Sequence, residues 1–395
     1  MSEEKKLILK MLKEGKISEQ EALKLLDAIK EPADRDQSTR DSNFDFDSKD
    51  LESKVEKFAL NVVSGVESLF QKASKKIKNL QFDYDFDMSY EGDTIVSFSN
   101  MKSKLDRTYT IDMDEDRTLS LDINNFIGST SLCPTTSDQI QIKAHIYYND
   151  KYVDEDYDFV KYSLEGDKLV IKSDSREVKK EAFLVNMEVL LPIRAYDSLN
   201  VESINGRIEL EDLDFDQVRV ETVNGTFFAE SFASNIFKVK TVNGSISLMD
   251  SDFSELELET VNGKVEIDDL LAKKLKVSTV NGKMDLEGIG VEDIQLTSVN
   301  GKINLDGNLN KSKKLRLKSV NGSVYIESLE FDKEAKIYCK ANSNTIDRLD
   351  LGSKFDVIER SKKELIATTH SYKEEDPDKL ELEINLQNGR LTIVL

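Results

Sequence analysis

The sequence predicts a mainly β protein: a parallel β-solenoid of about seven 19-residue coils, with a small N-terminal α-helical hairpin and a long amphipathic helix ahead of it. Three observations carry this expectation. An Asn-Gly pair recurs at Asn205, Asn224, Asn243, Asn262, Asn281, Asn300 and Asn321, with five intervals of 19 residues and a last one of 21. Apolar residues alternate at strand period on both sides of each pair. The residue just before each Asn is Ile204, Val223, Val242, Val261, Val280, Val299 or Val320, so one β-branched column runs through all seven copies.

Residues 3 to 30 read as two short helices. Leu7, Ile8, Met11 and Leu12 form one stripe, Gly15 ends it, and Ser18 with Glu21 makes a capping box for a second stripe of Ala22, Leu25, Leu26 and Ile29. A hairpin this small cannot bury a core alone, so self-association or docking on another domain is expected. Its second helix is acidic on the polar face, which argues against phosphate contact. Residues 31 to 50, "EPADRDQSTRDSNFDFDSKD", hold almost no aliphatics and read as an acidic flexible linker. From 51 to 80, Val55, Phe58, Val62, Val66, Leu69, Ala73, Ile77 and Leu80 recur at helical spacing. Lys72, Lys75, Lys76 and Lys78 near its end leave two readings open: peripheral membrane contact, or packing over the β domain that follows.

Residues 81 to 192 alternate as strands do, in "QIQIKAHIYY", "KLVIKS" and "FLVNMEVLLP", and read as a β-rich N-terminal part or cap of the solenoid. The regular repeats occupy 193 to 330. Counting each Asn as zero, apolar side chains sit at −6, −4, −1, +3, +5 and usually +8, with Asn308 replacing the last in one copy. In a two-residue hairpin the −1 residue would share a face with +2, which is Arg207, Thr226, Ser245 or Lys264. Such hairpins would strand seven valines and isoleucines on a polar surface. A coil that bends at Asn-Gly is expected instead to turn −1 inward, with Gly taking a positive φ and the Asn amides laddering from coil to coil. Residues 331 to 395, ending "LQNGRLTIVL", read as degenerate C-terminal coils forming the second cap.

The formal charge of −21 repels nucleic acid and anionic lipid and favours cationic partners, with a protein or cationic peptide the expected one. Positions +6 and +7 concentrate this charge at Glu211, Asp212, Glu230, Asp250, Asp268, Asp269, Glu287, Asp306 and Glu327. On a solenoid they would form an acidic edge, either a solvated face that blocks aggregation or a binding site for cationic peptide. The glycine-aspartate nonapeptide of calcium-binding solenoids is missing, and no metal or cofactor is expected. A Thr or Ser column at −2, Ser203 through Ser319, matches a flat ice-binding face only weakly, because −3 and −5 mix Glu, Lys, Arg and Gln. Two cysteines, Cys133 and Cys339, are too few for a disulfide framework. With two histidines far apart, near-identical coils, and no Walker, dinucleotide or nucleophile-elbow motif, an enzyme is not expected, although β-helix carbohydrate enzymes are the rival class. Lack of a signal peptide or apolar span points to the cytoplasm, with envelope association by unconventional export as the alternative.

The "(S/T)(V/I)NG" units, clearest in "LKVSTVNGKMDLEG", resemble the bacterial putative-adhesin β-strand repeat found in many Firmicutes. "KKLILKMLKEGKISEQEALKLLDAIKE" is similar to the short helical domain that precedes this repeat in the YvlB- and LiaX-like family. The resemblance implies a non-enzymatic protein of the cell-envelope stress response and, for LiaX-like members, sensing of membrane-active antimicrobial peptides. Adhesin or envelope structural protein is the other function it implies.

Overall fold

The computed structural model describes residues 101–112, 118–175, 178, 182–328 and 331–395. The helical hairpin, the acidic linker and the amphipathic helix expected at 3–30, 31–50 and 51–80 lie outside the described residues. The described strands join into one continuous hydrogen-bonded sheet, mostly parallel, and the mainly β solenoid expected from the repeat is what the chain forms.

Each repeat advances by one row. Leu256 sits beside Leu275 and Leu275 beside Ile294, while Ile246 sits beside Val265 and Val265 beside Met284, all in parallel register. Rows of this kind stack at about 4.8 Å. A single strand, such as Ile246–Thr260, runs from the +3 position of one coil to the −2 position of the next. It bends at +7, where Asp212, Ser231, Asp250 and Asp269 have φ between 47 and 53° and Gly288 has φ 63°. Left-handed backbone disfavours most side chains with a Cβ but is tolerated by Gly, Asp and Asn, so the chemistry of +7 follows from the bend. The interior is a column of Ile, Leu, Val and Phe contributed by every row. Tyr196, Phe215 and Phe232 stack along it, with centroids 5.0 and 6.1 Å apart.

The Asn-Gly corner differs from expectation in two respects. The alternation −6, −4 continues inward to −2, so the hydroxyl residues Thr222, Thr241, Thr260, Thr279, Ser298 and Ser319 are all buried at the corner, whereas of the −1 column Val223, Val280 and Val299 are buried and Ile204, Val242, Val261 and Val320 are half-buried. The −1 valines lie outside the main core, and Ile204 belongs with Phe126, Ile127 and Leu184 in a separate outer cluster. The inward place is taken by Thr because its hydroxyl satisfies the turn: Thr260 Oγ1 accepts the Gly263 N–H at 3.0 Å and donates to the Gly244 carbonyl at 3.2 Å. Positive φ occurs at the terminal corners, Gly206 and Gly389, and not at Gly225, Gly244, Gly263, Gly282, Gly301 or Gly322. Glycine is required there by close approach instead. A Cβ on Gly263 would lie 1.7 Å from the Gly244 carbonyl oxygen.

The 21-residue interval is absorbed by one 3-10 turn, Leu309–Lys311, which swings Leu309 inward where Asn308 cannot serve. Beyond it the register resumes, with Leu305 beside Ile326 and Leu296 beside Leu317.

Both ends break sequence order. At the N-terminal end strand Ser120–Ile127 lies parallel to Tyr196–Asn205, so Ile127-Gly128 forms a corner that stacks on Asn205-Gly206. Lys168–Ser173 and Phe183–Pro192 add a further row. Antiparallel strands Ile140–Tyr148, Ser103–Ile111 and Lys161–Glu165 then cover that row. At the C-terminal end, strands Leu380–Leu386 and Leu391–Val394 make a final coil directly on Lys314–Ser319 and Val324–Glu327. The intervening chain supplies the parallel strand Ala335–Lys340, the antiparallel strands Phe355–Arg360 and Glu364–Thr369, and the short helix Ser343–Arg348. Residues 331–395 are thus one coil plus a capping insertion. Such covers matter because an open parallel edge is a template for aggregation.

Candidate functional site: the corner ladder and the acidic edge

The corner asparagines stand one above another. Asn224 Nδ2 donates to Asn205 Oδ1 at 2.6 Å, and the same bond links Asn243 to Asn224, Asn262 to Asn243, Asn281 to Asn262 and Asn300 to Asn281 at 2.7 to 2.8 Å. Asn321 donates to Asn300 at 2.9 Å, and Asn388 donates to Asn321 at 3.1 Å. Asn388 was missed in the sequence because 67 residues separate it from Asn321, although "QNG" was its signal. Every interior amide is used by the coils on either side. Chemically the ladder is therefore a tie between rows.

The acidic positions divide into two classes. At +6, Glu211 stands beside Glu230, Asp268 beside Glu287, and Asp306 beside Glu327, each pair in adjacent rows, with Met249 interrupting the column between Glu230 and Asp268. At +7, Asp212, Asp250 and Asp269 occupy the left-handed bend, so backbone geometry accounts for their residue type. Glu327 accepts the Tyr325 hydroxyl at 2.7 Å. None of the nine carboxylates forms an ion pair with a described residue. Partial burial pushes the Glu211 carboxyl up, and the charges of Glu209, Glu230 and Asp212 push it further. Among the described residues no group of His, Cys, Asp and Glu is arranged to hold a metal ion.

The long outer face behaves oppositely. Lys238 lies 3.3 Å from Glu257, Lys240 2.8 Å from Glu259 and Lys274 2.5 Å from Glu255, and Lys276 bonds Glu257 from the next row. Burial raises the Glu257 carboxyl, but hydrogen bonds and charge from Lys276 and Lys238 outweigh it and the net shift is downward. A lowered folded-state pKa stabilises above the unfolded value of 4.5 and is lost as pH falls through the folded one. Glu211, raised, has the opposite sign: its ionisation opposes folding once pH passes 4.5. Chemical denaturation of Glu257→Gln and Glu211→Gln between pH 3 and 8 should therefore diverge. At pH 7 the first is less stable than the parent by about 1 kcal/mol and the second more stable, with both differences vanishing at the acid end.

A family profile described as Toastrack DUF4097 matches residues 118–345, more than half of the chain and all of the regular coils. The chain belongs to the toastrack family. Residues 3–34, ahead of the toastrack region, match a SHOCT-like domain. Uncharacterized protein YvlB of Bacillus subtilis (strain 168) is 26% identical over 226 residues, which are 54% of this chain and 55% of that protein. The YvlB-like resemblance seen in the repeats is thereby borne out, over about half the length of that relative. Solved structures similar to the toastrack region include a putative lipid binding protein from Parabacteroides distasonis, with TM-score 0.40 and 11% identity over 74% of this chain and 98% of that one. A putative adhesin from Bacteroides fragilis gives TM-score 0.36 and 11% identity over 75% and 99%. A putative cell adhesion protein from Clostridium sporogenes gives 0.22 and 10% over 74% and 99%. Likenesses this distant carry no ligand to the toastrack protein described here. No helix among the described residues is long and apolar enough to cross a membrane.

Proposed function

We propose that this toastrack protein is a non-enzymatic interaction scaffold of the bacterial cell-envelope stress response whose acidic edge takes up cationic peptide. The observation that carries this reading is the contrast between two faces of one solenoid. Along the long face Glu255, Glu257 and Glu259 each have a lysine in reach, whereas along the +6 edge carboxylates meet carboxylates in adjacent rows without an ion-paired basic partner. Unpaired like charges about 5 Å apart favour a multivalent cation, and a peptide with lysines spaced to the rows supplies one. In this reading residues 3–30 serve self-association, and the solenoid presents the edge at fixed spacing.

The test is binding of a lysine-rich amphipathic peptide to the full chain and to a quadruple variant, Glu230→Gln, Asp268→Asn, Glu287→Gln and Asp306→Asn. The variant should bind at least about tenfold more weakly at low salt, and the parent's affinity should fall steeply as salt rises. Equal affinities for the two proteins would remove the acidic edge as the site.

A further inference from the structure

The sequence holds eight Asn-Gly pairs, seven from Asn205 to Asn321 and the last at Asn388, and the fold does not treat them alike. An Asn followed by Gly is open to attack on its side-chain Cγ by the next backbone nitrogen, because Gly carries no side chain to obstruct the approach. At six corners that nitrogen is occupied. The N–H groups of Gly225, Gly244, Gly263, Gly282, Gly301 and Gly322 each donate to the hydroxyl at −2, at 2.9 to 3.1 Å. A hydrogen bond made by the neutral N–H disfavours loss of its proton. An amide between two rungs, such as Asn243, is also held at both its oxygen and its nitrogen. The two end corners lack the clamp. Below Gly206 the Ser203 hydroxyl is buried without a partner, but Asn205 is half-buried and its Oδ1 accepts Asn224 Nδ2. At Asn388 the −2 residue is Leu386, the side chain is exposed, and it is the last rung, donating to Asn321 with no further Asn stacked on it.

We propose that Asn388 is a modification site, at which the chain converts itself to aspartate and isoaspartate with water as the only co-reactant while the clamped corners stay intact. The Gly389 nitrogen gives its proton to solvent base and attacks Asn388 Cγ. The new N–Cγ bond closes a succinimide as the Cγ–Nδ2 bond breaks, and Nδ2 leaves as ammonia with a proton from water. Water then opens the ring at one carbonyl or the other, giving isoaspartate or aspartate, and nothing is oxidised or reduced. Either product changes the stack. The Nδ2 that donates to Asn321 Oδ1 at 3.1 Å is gone, and in the aspartate product a carboxylate oxygen faces that carbonyl oxygen instead. Isoaspartate lengthens the corner by one backbone carbon, between the strands Leu380–Leu386 and Leu391–Val394 that form the last coil. The modification therefore acts where the solenoid closes.

Peptide mapping by mass spectrometry of the full chain held at pH 8.5 tests this, with urea-unfolded chain incubated in parallel as the reference for unrestrained reactivity. In the folded chain Asn388 should convert at least about tenfold faster than Asn243, Asn262 or Asn281, and in urea the difference should disappear. Leu386→Thr, which supplies the hydroxyl found at the other corners, should slow Asn388 at least about fivefold. Thr260→Val, which releases the Gly263 N–H, should bring Asn262 above its parent rate. Equal rates at Asn388 and Asn262 in the folded parent would overturn the proposal, as would an Asn388 that reacts only in urea. So would an Asn388 rate unmoved by Leu386→Thr, or an Asn262 that stays as slow in Thr260→Val as in the parent.

Discussion

Gly263→Ala is expected to lower the unfolding free energy by at least about 3 kcal/mol, read as a fall in urea midpoint, because no side chain can move to admit the new methyl. The added Cβ would lie 1.7 Å from the Gly244 carbonyl oxygen and 2.5 Å from its carbon, both backbone atoms of the row beneath. Relief requires the two rows to separate at the corner, which also strains the bonds from Asn262 to Asn243 and from Thr260 to Gly244. Gly166→Ala is the matched control. Gly166 has φ +60° with nothing within 4 Å of the added Cβ, so it meets only the left-handed backbone penalty of about 1 kcal/mol. Equal losses for the two variants would show that backbone conformation, not row spacing, selects glycine at the corner.

Thr260→Val is expected to cost about 2 kcal/mol although it preserves shape. Thr260 is fully buried, and its hydroxyl is the partner of both the Gly263 N–H and the Gly244 carbonyl. Valine leaves those two groups without a bond where water does not reach. Thr260→Ser should stay within about 1 kcal/mol of the parent, because Ser298 and Ser319 already hold the N–H groups of Gly301 and Gly322 at 2.9 and 3.1 Å. A thermal unfolding series of the three proteins distinguishes loss of the hydroxyl from loss of the methyl.

The repeat was legible in the sequence because its period is set by the row, and a row admits one corner, one bend and a fixed number of inward positions. Leu256, Leu275 and Ile294, or Ile246, Val265 and Met284, announce the interior without any knowledge of the fold. The corner was harder. Thr260 looks like a surface residue and Val261 like a core residue, and the structure exchanges them, because a buried turn needs a hydroxyl more than it needs a methyl. Glycine at the corner has two physical causes that leave the same letter in the sequence. The acidic edge pooled two positions with different origins: carboxylates at +6 that face one another, and aspartates at +7 that suit a left-handed bend. The last coil was hidden by the capping insertion, which separates Asn388 from its neighbour in the stack.

The most direct test of the central claim, that every repeat adds one row and so fixes the spacing of corner and edge, is a set of spin-label distances along one column. With Cys133→Ser and Cys339→Val as background, one label goes at Thr226→Cys and the second at Lys283→Cys, Lys302→Cys or Ser323→Cys, all at +2. Three, four and five rows of about 4.8 Å predict separations near 14, 19 and 24 Å, rising linearly with row number. Distances that alternate, or that fail to rise between Lys302 and Ser323, would contradict the stacked-coil account.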